Sequence, residues 1–208
     1  MQEDYFSAEY LAKQYDKMAE SYNDSRHLYD NSLQLEELDE LVDPGNKVLD
    51  VGCGSGIPVA KYFVEHGCEV IGFDVSKEMI RLAMRNVPRG DFFQADVLAI
   101  ELPSNTYNLV VSFYCVFHIE KSRQEEVFQK FYEALIPGGY SYFTLAGEKY
   151  TNEKEFQGTK RFGDCLLPYA HFSEEKYREI LTSTGFTIIS MEELTIGGET
   201  LLWVLVSK

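Results

Sequence analysis

The sequence predicts an α/β protein: a doubly wound sheet of seven strands with an antiparallel last strand, preceded by an N-terminal helical cap. Short apolar runs alternate with helical patterns, as in βα units around a parallel sheet. The run at 48–51 leads into Gly52, Gly54 and Gly56, which is typical of the first βα turn of a ligand-binding sheet. Near the C-terminus, two apolar runs flank Gly197-Gly198, and this hairpin signal predicts the antiparallel last strand.

The cap is predicted to span residues 1–43 and the α/β domain residues 44–208. The first helix, at 5–23, is amphipathic, and its apolar face either packs on the domain or covers a bound ligand as a lid. That face carries Tyr15, Met18 and Tyr22. A second helix is predicted at 32–42. In the polar stretch between the two helices, Arg26 or His27 could bind a carboxylate, although a loop favours exposed side chains.

After the first strand, a helix is predicted at 57–66, with Pro58 in its first turn and Gly67 at its end. Ser76 is a suitable N-cap for a helix at 77–86. Pro137-Gly-Gly139 is predicted to end a helix and to begin the fifth strand. The remaining helices are predicted at 121–135 and 173–184, and the later strands at 69–73, 91–95, 107–113, 140–146, 186–191 and 201–206.

The composition excludes several classes of protein. The net charge is −15, and residues 1–43 contain twelve acidic residues against three basic ones, so a nucleic-acid partner, which needs a basic face, is disfavoured. The four cysteines form no C-x-x-C pair, so neither a metal site nor a disulfide is expected. The longest apolar run, 109–119, is too short to span a bilayer, and the acidic N-terminus has no signal-peptide pattern. We therefore expect a cytoplasmic protein without a membrane partner.

The glycine spacing restricts the classes of ligand that the loop could bind. A dinucleotide fingerprint is G-x-G-x-x-G, whereas this loop reads G-x-G-x-G, with Ile57 at the sixth position. Asp74 ends the second strand 22 positions after Gly52, close to the separation at which a carboxylate accepts hydrogen bonds from ribose hydroxyls. These residues predict a cofactor that contains a ribose.

The stretch 48–58, VLDVGCGSGIP, resembles motif I of the class I S-adenosylmethionine (SAM) dependent methyltransferases, of the small-molecule type 11/25-like kind. The resemblance implies a Rossmann-like fold, SAM as cofactor and S-adenosylhomocysteine as product. It also implies that the motif from Asp50 to Gly56, including Gly52, Cys53 and Gly54, lies against the methionine part of SAM, and that Tyr22 and Tyr15 of the cap lie near it.

The resemblance assigns further contacts with the cofactor. It places Asp74 and Val75 at the ribose, Asp96 and the Val97 N–H at the adenine, and a backbone carbonyl of Ser112 or Phe113 at the amino group. Met79 either faces the adenine or packs in the core.

Candidate residues for the acceptor side are less well determined. His118 either orients or deprotonates the acceptor, or is a structural histidine. Residues 147–172 form a long connection, predicted as an insertion on the acceptor side, with Tyr169 and His171 as catalytic candidates. No Asn/Asp-Pro-Pro-aromatic string follows the fourth strand, which disfavours amide or exocyclic-amine methylation of that subtype.

Three functions are compatible with these patterns. The first is a SAM-dependent methyltransferase that acts on a small molecule by in-line displacement, as a monomer or homodimer. The second is a SAM-binding sensor or partner subunit without transferase activity. The third is an NAD(P)-dependent oxidoreductase, which the G-x-G-x-G spacing and the final hairpin disfavour.

Overall fold

The computed structural model describes residues 4–208. The strands are β1 (Lys47–Val51), β2 (Glu69–Asp74), β3 (Asp91–Gln94), β4 (Tyr107–Ser112), β5 (Leu135–Leu145), β6 (Phe156–Phe162), β7 (Cys165–His171), β8 (Thr187–Ile196) and β9 (Glu199–Ser207). The helices are α1 (Ala8–Ser25), α2 (Ser32–Asp39), α3 (Val59–Glu65), α4 (Lys77–Asn86), α5 (Lys121–Ala134), α6 (Glu148–Thr151) and α7 (Glu174–Thr184).

The main sheet has seven strands in the order β3-β2-β1-β4-β5-β9-β8. The first five pair in parallel, whereas β9 is antiparallel to both of its neighbours. Both faces of the sheet are covered: Val48 belongs to one apolar core, and the adjacent Leu49 belongs to the other. A strand buried on both faces needs a nearly continuous apolar run, which is the pattern seen at 48–51. The predicted fold class is confirmed.

Most predicted helix boundaries lie within three residues of the observed ones, and local capping explains them. The Ser76 hydroxyl accepts from the Met79 N–H and begins α4, as predicted. Gly185 ends α7 in the left-handed region, with φ of +111°. The first helix starts at Ala8 rather than residue 5, because the Ser7 side chain caps it. Pro58 precedes α3 as its N-cap rather than lying in its first turn.

The prediction that Pro137-Gly-Gly139 begins the fifth strand is wrong. That strand, β5, starts at Leu135, directly after α5, so the turn-like sequence lies within it. Leu135 pairs with Tyr107, and the register shifts before the next pair, Leu109 with Tyr140. The irregular pairing accommodates the proline and the glycines inside the strand.

The connection at 147–172, predicted as an insertion on the acceptor side, contains α6 and a β-hairpin. Strands β6 and β7 pair antiparallel as a separate two-stranded sheet, closed by Phe162 opposite Cys165. The two residues between them, Gly163 and Asp164, are a hairpin signal that the sequence does contain. The charged residues of β6 hid this strand, since only part of it is buried.

The cap packs against the domain through α1. The Asp16 carboxylate accepts from the Ser76 hydroxyl at 2.6 Å and from the Glu78 N–H at 3.2 Å, which joins α1 to the start of α4. The Tyr10 hydroxyl donates to the carbonyl of Leu166 on β7. Within residues 4–208, every helix is too short or too polar to cross a bilayer.

Candidate functional site

A cavity of about 470 Å³ lies at the carboxyl ends of β1, β2 and β4, beneath the start of α1. This edge of an open α/β sheet is where such folds bind ligands. Eleven of the predicted site residues line it: Tyr15, Tyr22, Gly52, Gly54, Asp74, Val75, Met79, Asp96, Val97, Phe113 and His118. Met79 fits both of its interpretations, because it also packs in a small core with Ala19 and Leu82.

The loop after β1 uses its backbone N–H groups internally. The carbonyl of Phe73 accepts from Gly52 at 2.9 Å and from Cys53 at 3.0 Å. The Gly54 N–H donates to Asp74 Oδ2 at 3.0 Å. A phosphate-binding loop points such N–H groups at its ligand. These three are already bonded, so the loop is not built to hold a pyrophosphate.

The three loop glycines have different reasons to be glycine. At Gly52 an added Cβ would lie 2.5 Å from Cys115 Sγ, so the chain passes too close for a side chain. Gly54 has φ of +52° and no atom near its missing Cβ, because it faces the open cavity. Gly56 faces Val87 of the helix layer and does not line the cavity.

A smaller cavity of about 30 Å³ adjoins the first, and three of its lining residues, Arg26, Asp50 and Ser55, are buried polar residues. In the described chain, Arg26 Nη1, Asp50 Oδ2 and Ser55 Oγ have no hydrogen-bond partner. Leaving such groups unpaired is costly, so three around one cavity indicate a ligand with complementary groups. Cys53 also lines this cavity.

Arg26 is only 6% exposed, so the expectation of an exposed side chain is wrong for this residue, although His27 is exposed. The guanidinium lies 4.8 Å from the ring centroid of Tyr114, and its Nη2 donates to Asn31 Oδ1 at 3.1 Å. These contacts, one local and one with a residue distant in the chain, hold Arg26 at the cavity and leave Nη1 without a partner.

A buried carboxyl group, of Asp50, and a partly buried one, of Asp74, make the site favourable for a cation. Burial, together with the charge of Asp74, raises the pKa of Asp50 to about 7, although a hydrogen bond from the Ala60 backbone opposes this. Burial raises the pKa of Asp74 to about 6, although hydrogen bonds from the backbone N–H groups of Ser76 and Gly54 lower it. A positive group nearby would favour the ionised form of both.

His118 is held as a neutral imidazole. Its Nδ1 lies 2.6 Å from the carbonyl of Pro168, which can only accept, so Nδ1 carries the proton. Its Nε2 then accepts from the Tyr15 hydroxyl at 2.7 Å. Burial lowers the pKa of His118 to about 4. At neutral pH Nε2 is therefore unprotonated, and its lone pair is occupied by the Tyr15 hydroxyl of the cap helix.

Tyr114 marks the site by its backbone. It has φ of +60°, which is uncommon for a residue with a side chain and is often associated with functional sites. Its N–H donates to Thr144 Oγ1 at 2.6 Å, and its ring packs edge-on against Trp203. The strained backbone turns the ring towards Arg26 and the cavity.

Other candidates lie away from the main cavity. Ser112 is buried, and its hydroxyl donates to the carbonyl of Val51. Tyr169 lines a separate aromatic cavity together with His118. Both ring nitrogens of His171 have partners, Thr151 Oγ1 at 2.7 Å and the Phe172 carbonyl at 2.9 Å, and this histidine does not line the main cavity. The structure does not bring His171 together with the other candidates.

Sequence reasoning missed several lining residues. Asp4, Phe6, Ser7, Ala8 and Leu11 line the main cavity, and Tyr29 and Glu199 line the aromatic one. The start of the cap could have been found from Ser7, whose side chain caps a helix that covers the site. Cys115 also lines the main cavity, but burial raises its pKa to about 12, which makes a nucleophilic thiolate unfavourable.

Comparison with known proteins agrees with this geometry. Residues 48–139 match a family model described as a methyltransferase domain. Residues 48–139 therefore have the methyltransferase domain of the class I SAM-dependent family. This span contains the glycine loop, Asp74 and Asp96.

One relative of this chain is phosphoethanolamine N-methyltransferase 2 of Caenorhabditis elegans, 27% identical over 174 residues. The alignment covers 80% of this chain but only 38% of that protein. Among solved structures, a putative SAM-dependent methyltransferase from Listeria monocytogenes aligns with a TM-score of 0.72 and 21% identity, covering 86% of this chain and 99% of that one. The cyclase SpnF aligns with a TM-score of 0.74 and 17% identity, covering 97% and 96%. These two structures support the fold alone.

Replacing Asp50 by Asn is expected to stabilise the ligand-free protein. The pKa of Asp50 is about 7 in the fold against an ordinary 3.8, so its ionisation destabilises the fold progressively across that range and fully above it. Asp50→Asn should raise the melting temperature at pH 8 by about 5 °C or more, and by less at pH 5. Thermal unfolding followed by circular dichroism measures both. Exposed Asp164→Asn is the control, and equal gains at the two pH values would contradict the assignment.

His118 is expected to remain neutral over the range in which an ordinary histidine titrates. Long-range ¹H–¹⁵N NMR spectra should show an Nδ1–H tautomer from pH 8 to about pH 5, because the pKa lies near 4. The signal is assigned by its loss in His118→Asn. An Nε2–H tautomer, or protonation near pH 6.5, would show that the Tyr15 and Pro168 contacts are wrong.

Proposed function

We propose that this protein binds SAM in the main cavity and transfers its methyl group to a small-molecule acceptor. The observation that carries the proposal is the set of unpartnered groups on Arg26, Asp50 and Ser55 beside the glycine loop. SAM ends in an α-amino acid, which has one cationic and one anionic group. A guanidinium, a carboxylate and a hydroxyl complement that end, whereas NAD(P) has no such end.

The contacts with the amino-acid end follow from charge. The ammonium group is placed at Asp50, whose buried carboxylate a cation stabilises. The carboxylate is placed at Arg26 and Ser55. Phe113 lines both cavities and lies where they meet. The nearby Tyr15 and Tyr22 supply aromatic faces for a sulfonium cation.

The nucleoside end is assigned to the other side of the cavity. Asp74 accepts from the ribose hydroxyls, and Asp96 with the Val97 N–H meets the adenine edge. Asp74 already binds the Gly54 and Ser76 N–H groups, which fixes its orientation before the ribose arrives. Met79 lies in the wall beside them.

When bound, SAM supplies an activated methyl group that leaves a neutral thioether on transfer. The task of the protein is then to align the acceptor and to exclude water. The His118 Nε2 lone pair, now bonded to Tyr15, is the candidate group for orienting the acceptor or taking its proton. Tyr169 packs edge-on against His118, with ring centroids 5.0 Å apart, and is assigned a positioning role.

We further propose that residues 1–43 act as a lid over the 44–208 domain, because α1 lines the cavity along its length. The hairpin within 147–172 forms the acceptor side, since Phe162, Leu167 and Tyr169 line the aromatic cavity. All four cysteines are free, as in a cytoplasmic protein. A SAM-binding role without transfer is the second candidate function, because it would use the same cofactor-binding residues of the main cavity.

The proposal predicts that two variants lose contacts with different parts of the ligand. Arg26→Gln should weaken S-adenosylhomocysteine binding at least about tenfold and leave adenosine binding unchanged, because adenosine lacks the amino-acid end. Asp74→Asn should weaken the binding of both S-adenosylhomocysteine and adenosine. Isothermal titration measures the affinities, and circular dichroism checks that each variant is folded.

The matched control is exposed His27→Gln, which should bind both ligands as the unmodified protein does. Equal losses for both ligands in Arg26→Gln would place the amino-acid end elsewhere. A folded protein that binds NADH but neither SAM nor S-adenosylhomocysteine would overturn the proposed function.

A further inference from the structure

The aromatic cavity, which Tyr169 and His118 line, lies next to the main cavity. Among the described residues, seven of the ten side chains that line it are Tyr or Phe. Tyr15, Tyr22, Tyr114 and His118 line both cavities and therefore separate them. Its volume is about 20 Å³, enough for one group the size of a water molecule or an ammonium. This space is therefore suited to a small head group.

Glu199 is the one carboxylate among the described residues of this lining. It begins β9 directly after the Gly197-Gly198 turn and is partly buried. Its Oε1 accepts from the Tyr150 hydroxyl at 3.2 Å, and the Tyr29 hydroxyl also hydrogen-bonds to it. Burial raises the pKa of Glu199, which is the effect expected of an acid without a close counter-ion.

The nearest cations do not pair with this carboxylate. Over residues 4–208, none of the ion pairs within 4.0 Å includes Glu199. Lys160 Nζ donates to the Tyr150 carbonyl and lies 4.2 Å from the centroid of the Tyr150 ring. Arg26 donates to Asn31 instead. Both act on Glu199 only at longer range, lowering its pKa slightly against the effect of burial.

A carboxylate among aromatic rings is an arrangement that favours a cation. The ring faces carry negative potential, and a positive group among them gains both this attraction and that of the acid. No Lys or Arg is found among the described side chains of the lining to offset Glu199, whose charge repels a phosphate or carboxylate. The lining therefore favours a cationic group over an anionic one.

We propose that the aromatic cavity binds the protonated amine head group of the methyl acceptor, with Glu199 as its counter-ion. The acceptor is then a small basic amine without a phosphate next to the nitrogen. This inference rests on the proposed methyltransferase function and adds the chemical class of its substrate. The rest of the acceptor extends past Tyr15 and Tyr22 towards the main cavity.

The test uses the full chain saturated with S-adenosylhomocysteine at constant ionic strength. Isothermal titration compares methylammonium, tetramethylammonium and benzylammonium with benzyl alcohol and phosphoethanolamine. We expect at least one of the three cations to bind, and benzyl alcohol and phosphoethanolamine to bind more weakly or not at all. Glu199→Gln should weaken cation binding at least about tenfold and leave S-adenosylhomocysteine binding unchanged. Exposed Glu192→Gln on β8 is the matched control and should change neither.

The remaining outcomes overturn the inference. If benzyl alcohol or phosphoethanolamine binds as tightly as the cations, charge does not select the acceptor. If Glu199→Gln binds the cation normally, the carboxylate is not its counter-ion. If no cation binds while S-adenosylhomocysteine does, the acceptor class is wrong but the proposed function stands. If the folded protein binds no S-adenosylhomocysteine, the proposed function itself fails.

Discussion

The site depends on the hydrogen bonds that tie the loop after β1 to the end of β2. The Phe73 carbonyl accepts from two successive N–H groups, of Gly52 and Cys53, and the Asp74 carboxylate accepts from a third, of Gly54. The loop is thereby fixed, and Asp74 is oriented at the cavity. The same bonds leave these donors unavailable to a phosphate. The loop is therefore not suited to a phosphate, whereas the carboxyl groups of the buried Asp50 and the partly buried Asp74 favour a positive group beside it.

Several features of the site oppose stability. Three buried polar groups, on Arg26, Asp50 and Ser55, lack partners, and Tyr114 has a strained backbone. Such groups persist where a ligand supplies what is missing, and binding then returns the lost free energy. The cap supports this arrangement, since Tyr15 of α1 bonds to His118 of the domain. The protein is therefore expected to be more stable with its ligand than without.

Local signals made much of the fold predictable. Ser76 begins a helix through its own side chain, Gly185 ends one, and the Gly197-Gly198 turn reverses the chain before the last strand. The proximity of the glycine loop to Asp74 followed from spacing, because both lie at the ends of neighbouring parallel strands. Arg26 could not be placed in this way. Its burial depends on Asn31 and on the ring of Tyr114, 88 positions later in the chain.

The central claim is that an amino-acid end lies between Arg26 and Asp50. A crystal structure of the protein with S-adenosylhomocysteine tests this claim most directly. We expect the ligand carboxylate within hydrogen-bond distance of Arg26 and Ser55, and its amino group within that distance of Asp50. An amino-acid end that points instead to Glu199 and the aromatic cavity would contradict the account, since that space would then belong to the cofactor.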